Sequence, residues 1–270
     1  MQGKWIFIIV LGIIICLVIG ILNVSKQTES VEQTESVEQT ESVEQTESVE
    51  QTESVAKTEI IFEQGEPRIS LEEIGTNRLA LEDEIFNSLG PENVKIVMNN
   101  GDTASGMIFS NDSDYTYILT VSHLFADSEK GKVYFFGGEE SSFKKENATM
   151  LGNLDACIIS ISKDESYNLS YSGASEFIAL KYEIGEEVWS IHSEESVAGK
   201  IQNFMIAGCN IYMEDYKEEM LLAYGTGLWG MSGSPVYNRD GYLLGIVSGM
   251  SVDRQDIAIV PIDKIINHIQ

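Results

Sequence analysis

Apolar residues in the second half of the chain fall into short runs separated by polar turns, a pattern typical of a β-rich domain. The β-branched run at residues 117–121 and the apolar run at 156–159 each have the length of a strand. Residues 235–249 place an Arg-Asp-Gly turn between two apolar segments, which predicts a hairpin. At the end of the chain, isoleucines recur at helical spacing, at Ile262, Ile265, Ile266 and Ile269. The pattern therefore predicts an all-β domain closed by one helix.

The N-terminal part of the chain carries an apolar run at residues 5–22, with Lys4 before it and Lys26 after it. Eighteen such residues can cross a bilayer as a helix when tilt and flanking residues are included. We expect a cytoplasmic tail at residues 1–4 and a transmembrane signal anchor at residues 5–24. The remainder then lies outside the cell, attached to the cell membrane by a single pass.

Two alternatives to the anchor stay open. A cleaved signal peptide is one, although the run is longer than a normal signal core and no Ala-x-Ala-like site follows it. A lipoprotein modified at Cys16 is the other, although Ile15 is large where that signal has a small residue.

A tandem repeat of Gln-Thr-Glu-Ser-Val-Glu occupies residues 27–55. One valine in six residues cannot build a core, and a period of six is not the heptad of a coiled coil. The regularly spaced glutamates repel each other, which favours an extended chain. We therefore expect residues 25–58 to be a disordered stalk, with a reach of about 100 Å when fully extended. A short-period solenoid is the structured alternative, with too little apolar surface to stack.

Residues 59–91 predict a short helical segment before the β-rich domain. The sequence Ser-Leu-Glu-Glu at 70–73 fits a capping box. Apolar residues then follow at helical spacing before a Gly-Pro pair, at Leu81, Ile85 and Leu89. This segment either packs on the domain and joins it to the stalk, or acts as a pro-segment over the active site.

The composition excludes some classes of partner. With 17 basic and 43 acidic residues, the chain has a net charge of −26, which disfavours binding to nucleic acid or to anionic lipid. Three cysteines do not form a disulfide framework, and free thiols at Cys157 and Cys209 are favoured over a bridge between them. No cluster has metal-ligand spacing, and residues 111–114 lack the later ligands of a calcium loop.

Candidate chemistry comes from three separated residues. The sequence Gly-Met-Ser-Gly-Ser-Pro at 230–235 presents Ser232 in a turn, while His123 follows one apolar strand and Asp155 precedes another. A serine hydroxyl is a poor nucleophile at neutral pH, so it needs an imidazole base, and that base needs a carboxylate to hold its tautomer. The three residue types occur in the order His, Asp, Ser, with spacings of 32 and 77 residues.

This order and these motifs resemble the trypsin-like serine peptidases of the chymotrypsin fold, over residues 92–270. The small-residue strand at 104–109 and the Gly-Glu-Glu-Val-Trp-Ser-Ile segment at 185–191 are similar to bacterial members, the high-temperature-requirement and glutamyl-endopeptidase branches. The α/β-hydrolases are excluded, because their triad runs Ser, acid, His. The resemblance implies a peptidase domain of two six-stranded β-barrels with a C-terminal helix.

The resemblance also implies roles for individual residues. Ser232 is the nucleophile, His123 the general base and Asp155 the residue that orients it. The backbone amides of Gly230 and Ser232 form the oxyanion hole. Residues expected to bind substrate are Thr226, Gly227, Ser248, Gly249 and Met250, with Ser248 also bonding Asp155. The substrate is a peptide or protein, no cofactor or metal is implied, and the oligomeric state stays open.

Two departures limit what the resemblance carries over. Met231 stands where the digestive trypsins have an aspartate, so activation by a freed N-terminus is not implied. Val247 stands where the glutamyl-specific branch has a histidine, and no charged residue falls at the base of the pocket. We expect a shallow apolar pocket for small or medium aliphatic side chains. A catalytically silent binding module of the same fold, or an adhesion protein built on the repeat, are the rival classes.

Overall fold

A computed structural model describes residues 66–69, 77–163, 174–179, 181–193, 199–251, 253 and 255–269. The chain divides into two units, Met1–Thr58 and Glu59–Gln270, and all described residues belong to the second. The predicted anchor at 5–24, the stalk at 25–58 and the capping box at 70–73 lie outside the described residues. Within the described part of the chain, no helix is long and apolar enough to span a membrane.

Seven antiparallel strands form the first sheet. They are β1 (Asn93–Met98), β2 (Thr103–Asn111), β3 (Tyr115–Thr120), β4 (Lys130–Phe135), β5 (Glu140–Lys144), β6 (Ala148–Met150) and β7 (Cys157–Ser162). Their order in the sheet is β5-β4-β1-β2-β3-β7-β6. Strand β2 lies at the centre and is buried over six consecutive residues, because both of its faces are covered by protein.

Six strands form the second sheet, which closes into a barrel. They are β8 (Glu187–His192), β9 (Lys200–Met213), β10 (Glu218–Tyr224), β11 (Pro235–Tyr237), β12 (Leu243–Ser251) and β13 (Asp256–Pro261). Their order around the barrel is β10-β13-β12-β11-β8-β9. The predicted hairpin at 235–249 is the pair β11 and β12.

The first sheet differs from the predicted six-stranded barrel. The segment between β4 and β7 forms two strands. The first, β5, pairs with β4, and the second, β6, pairs with β7. A 3-10 turn at Lys145–Asn147 separates the two strands, and the Asn147 side chain accepts a hydrogen bond from the Lys144 amide at 2.9 Å. This local turn separates two short strands, and the sheet has seven strands where six were predicted.

Two helices pack on the sheets. Helix α1 (Arg78–Leu89) begins at Asn77, whose side chain accepts hydrogen bonds from the amides of Leu79 and Ala80. Its buried residues are Leu81, Ile85 and Leu89, one per helical turn. Helix α2 (Ile262–Ile269) buries Ile262, Ile265 and Ile266, while Ile269 is half-exposed at its end.

The largest hydrophobic core is shared by both sheets. Side chains of the first sheet pack there against Trp189 and Tyr237 of the second. The short segment before α1 contributes an ion pair at the same place, where the Arg68 guanidinium donates two hydrogen bonds to the buried Glu92 carboxylate, at 2.6 and 2.9 Å. The two sheets and this segment thus form one packed body, and the candidate residues lie along the junction between the sheets.

Candidate active site

His123 and Asp155 are brought together by the ends of two neighbouring strands. His123 lies in a 3-10 turn (Ser122–Phe125) directly after β3, and Asp155 lies just before β7, which pairs with β3. The His123 Nδ1 atom is 2.7 Å from the Asp155 Oδ2 atom. The His123 amide also donates to Asp155 Oδ1 at 2.9 Å, so the carboxylate holds both the ring and the backbone of this histidine.

The Asp155 carboxylate accepts two further hydrogen bonds, from the hydroxyls of Ser122, at 3.0 Å, and Ser248. Its side chain is only 11% exposed. Burial by itself raises the pKa of Asp155, but the bonds from His123 and Ser248 outweigh it and hold that pKa below its ordinary value. The group therefore stays an anion beside the imidazole, which is the state that orients a histidine and stabilises its charged form.

Ser232 lies in the loop between β10 and β11, next to this pair of residues. Its hydroxyl donates to the Ser248 carbonyl oxygen at 3.4 Å, and Ser248 in turn bonds Asp155. Among the described residues, no hydrogen bond joins the Ser232 hydroxyl to the His123 imidazole. Nucleophile–base contacts in ligand-free sites are often long and tighten with substrate, and the hydroxyl turns about a single bond.

Two amides of the loop around Ser232 are left free, while the peptide groups next to them are hydrogen-bonded. The carbonyls of Gly230 and Ser232 accept hydrogen bonds from Ser105 of the first sheet, each at 2.8 Å. In the same two peptide groups, the Met231 amide donates to the Leu228 carbonyl within the loop, and the Gly233 amide donates to the Val247 carbonyl of β12. The amides of Gly230 and Ser232 themselves donate to no acceptor in the described part of the chain. Free amides close together in one loop are chemically suited to bind an anion.

Two glycines make this loop geometry accessible. Gly230 has φ +82° and Gly233 has φ +81°, both in the left-handed region that favours glycine. A Cβ atom on Gly233 would also collide with the Ser105 carbonyl oxygen and the Thr120 hydroxyl. The Gly-x-Ser-Gly pattern in the sequence therefore reflects a real requirement for close approach between the loop and the first sheet.

A cavity of about 250 Å³ opens beside Ser232. It is lined by Gly227, Leu228, Trp229, Gly230, Met231, Ser232, Val247, Gly249, Met250 and Ile257, with no charged side chain among them. The Met250 side chain occupies the space where a Cβ atom on Gly227 would lie, so it narrows the cavity. Thr226 and Ser248 do not line it. The pocket is small and mostly apolar.

Sequence reasoning did not single out two residues of the site. Ser122 bonds the Asp155 carboxylate, and its position directly before His123 was the available signal. Tyr216, in the turn between β9 and β10, places its hydroxyl where a Cβ atom on Gly249 would lie. No local pattern indicates this contact, because Tyr216 lies in a turn and Gly249 lies in strand β12, far apart in the sequence.

Both described cysteines carry free thiols, with Cys157 buried and Cys209 partly so. Burial, together with the charge of Asp155, raises the pKa of Cys157 to about 12. Its thiol donates to the Val121 carbonyl at 3.4 Å, so it serves as packing beneath the His–Asp pair. Within the residues the structure describes, no group of His, Cys, Asp and Glu side chains could hold a metal ion.

Two bacterial proteins are among the solved structures with the same fold. Rv3671c from M. tuberculosis H37Rv, a serine-to-alanine mutant in its inactive form, aligns with TM-score 0.54 and 15% identity, over 77% of this chain and 95% of that one. The MamO protease domain from Magnetospirillum magneticum, in its apo form, aligns with TM-score 0.55 and 16% identity, over 68% and 99%. At such identities the likeness establishes the fold. No curated protein sequence matches this chain significantly.

The comparison with protein families shows the family of the chain as well as its fold. Residues 104–246 match the trypsin-like peptidase domain, and this range includes the candidate residues His123, Asp155 and Ser232. It covers just over half of the 270 residues. The chain therefore belongs to the trypsin-like peptidase domain family.

Proposed function

We propose that this protein is a serine endopeptidase that hydrolyses peptide bonds through an acyl-enzyme on Ser232. The observation that carries the proposal is the Asp155 carboxylate, which is buried, ionised and bonded to the imidazole and the amide of His123. A second support is the pair of free amides in the Ser232 loop. A binding module needs neither an oriented base nor free amides beside a serine.

In this mechanism Ser232 Oγ attacks the scissile carbonyl carbon, and Nε2 of His123 accepts the hydroxyl proton. Asp155 keeps the Nδ1 proton in place and stabilises the imidazolium without taking that proton. The amides of Gly230 and Ser232 donate to the oxyanion of the tetrahedral intermediate. His123 then returns the proton to the leaving amine, and water hydrolyses the acyl-enzyme by the same route.

Substrate is expected to bind as an extended strand along residues 248–250 of β12. Gly249 and Met250 pair with β13 on one side, and Ser248 forms a bulge before them. Peptide backbones add readily to the free side of such a strand. The residue before the scissile bond enters the cavity narrowed by Met250, whose lining is uncharged. Small or medium aliphatic side chains fit this cavity best. Thr226 does not line the cavity but directly precedes Gly227, which does.

We further propose that the enzyme is related to the high-temperature-requirement and glutamyl-endopeptidase branches and is anchored in the cell membrane. The segment at 185–191 supports the first point, and it supplies strand β8 of the barrel. The apolar run at 5–22 and the repeat at 27–55 support an anchor and an extracytoplasmic stalk. Deleting residues 5–24 should move the protein from the membrane to the soluble fraction. Unchanged fractionation would rule out the anchor.

Labelling with a fluorophosphonate probe tests the catalytic proposal. The probe forms a bond from Ser232 Oγ to phosphorus, fluoride leaves, and His123 accepts the hydroxyl proton. We expect labelling of the wild type and none of Ser232→Ala or His123→Ala. Ser113→Ala, which changes an exposed serine in the β2–β3 turn, is the matched control and should label normally. A silent binding module would leave the wild type unlabelled.

A further inference from the structure

Ser105 of strand β2 connects the first sheet to the loop that carries the nucleophile. Its side chain is fully buried, and all of its polar groups are bonded. The amide donates to the Ser232 carbonyl at 2.8 Å, and the hydroxyl donates to the Gly230 carbonyl at 2.8 Å. The hydroxyl oxygen accepts from the Ser193 amide at 2.8 Å, and the carbonyl accepts from the Thr120 hydroxyl at 2.7 Å.

We propose that Ser105 is a positioning residue of the oxyanion hole, whose hydroxyl holds the loop in the conformation that presents the amides of Gly230 and Ser232. The inference rests on the proposed peptidase function and extends it to a residue outside the triad and the pocket. Ser105 acts through the loop and does not touch the reacting atoms.

Peptide groups are planar, so each carbonyl is fixed opposite the amide of the next residue. The peptide group between Gly230 and Met231 is held at both ends, by Ser105 and by the Leu228 carbonyl. The peptide group after Ser232 is also held at both ends, by Ser105 and by the Val247 carbonyl. The peptide group that precedes Gly230 and the one that precedes Ser232 keep their amides free. Alternate anchoring therefore holds the loop in the conformation that leaves both amides free.

The orientation of the Ser105 hydroxyl is itself fixed by its neighbours. The Ser193 amide donates to one lone pair of the Ser105 hydroxyl oxygen. The hydroxyl proton of Ser105 is then directed at the Gly230 carbonyl. Ser193 directly follows β8 of the second barrel. The hydroxyl thus bridges the end of β8 and the loop, and its loss would leave a buried amide and a carbonyl unpaired at once.

Space around the loop supports the same role. Gly233 approaches the Ser105 carbonyl and the Thr120 hydroxyl so closely that even a methyl group would collide with them. The loop is therefore pressed against β2 beside the hydrogen bond from Ser105 to Gly230. Without the Ser105 hydroxyl, the peptide group between Gly230 and Met231 would be held only by the 3.3 Å hydrogen bond from the Met231 amide to the Leu228 carbonyl.

The test compares Ser105→Ala and Ser105→Cys with the wild-type full chain, using the fluorophosphonate probe at several concentrations. The phosphoryl oxygen of the probe enters the oxyanion hole. Loss of an oxyanion donor lowers catalytic rates by about 10²–10³, and loss of a bond that only positions the donors should cost less, about tenfold. We expect Ser105→Ala to lower the maximal labelling rate about tenfold with an unchanged half-saturating concentration.

Ser190→Ala is the matched control, because it removes another fully buried serine hydroxyl, which bonds Ser234 at 2.8 Å and no peptide group of the loop. It should label within about twofold of the wild type. Ser105→Cys keeps a weak donor of similar size and should label at an intermediate rate, which decides the matter if Ser105→Ala fails to fold. Wild-type rates in both Ser105 variants would overturn the inference while leaving the peptidase proposal intact. An unlabelled wild type would instead overturn the peptidase proposal.

Discussion

Replacing Arg68 by methionine is expected to destabilise the fold far more than its distance from the active site suggests. Arg68 lies before helix α1, and its guanidinium bonds both carboxylate oxygens of Glu92, at 2.6 and 2.9 Å. The exposed fractions of the two side chains are 13% and 4%. Burial alone lowers the pKa of Arg68, but its bonds to Glu92 raise it above its ordinary value, so the charge is kept.

The magnitude follows from the state of Glu92 after the change. Removing one partner of a buried ion pair leaves the other charge without compensation and costs about 3–5 kcal/mol. Methionine retains most of the apolar stem, so packing losses are small. The guanidinium also lies 4.8 Å from the centre of the Phe177 ring, a contact of about 1 kcal/mol that is lost as well.

Unfolding in urea, followed by tryptophan fluorescence, measures the effect, since Trp189 is buried in the shared core. A loss of this size corresponds to a midpoint about 1–2 M lower. The double variant Arg68→Met with Glu92→Leu should recover most of the stability, because a buried pair can be replaced by apolar residues at little cost. Arg78→Met is the control: its side chain is 55% exposed, and its pairing with Glu82 contributes less than about 1 kcal/mol. A cost below about 1 kcal/mol for Arg68→Met, or a double variant no better than the single one, would refute the reasoning.

Three further predictions concern single side chains. Asp155→Asn should lower kcat by about 10⁴ in a peptide-hydrolysis assay, because the imidazole loses its orienting anion, and a loss under tenfold would contradict that role. Burial raises and hydrogen bonding more strongly lowers the pKa of Asp155, so its ionised form contributes stability that is lost as pH falls through its folded-state value. The difference in unfolding free energy between wild type and Asp155→Asn should therefore shrink at acid pH, and a constant difference would count against it. Tyr237→Phe should stabilise the fold by about 1 kcal/mol in urea, because the buried Tyr237 hydroxyl has no partner among the described residues and gains nothing from burial. A destabilised variant would show that the hydroxyl is satisfied.

Local patterns in the sequence predicted several of the strands and the closing helix. The apolar runs at 117–121 and 156–159 became β3 and β7, and the hairpin at 235–249 became β11 and β12. Isoleucine spacing located the closing helix α2. Buried residues recur with a period of about two in a strand and about 3.6 in a helix. This periodicity can be recognised in the amino-acid sequence alone.

Other features leave no periodic signal in the sequence. The extra strand of the first sheet arises from a short turn at Lys145–Asn147, whose hydrogen bond competes with a continuous strand. Tyr216 of the β9–β10 turn reaches Gly249 of strand β12, and no sequence motif connects the two residues. The sequence alone predicted two six-stranded barrels and gave no indication of Tyr216, because neither feature leaves a periodic signal.

By itself the sequence determined the residue types of the candidate site and their order along the chain, since a nucleophile, a base and an acid can be recognised from their flanking strands. Only the tertiary structure decided how His123 meets Asp155 at 2.7 Å and how Ser105 holds a loop 125 residues away. The physical reason is that the first contact depends on how β3 pairs with β7, and the second depends on where the two sheets pack against each other. That packing is a property of the whole core and of no segment within it.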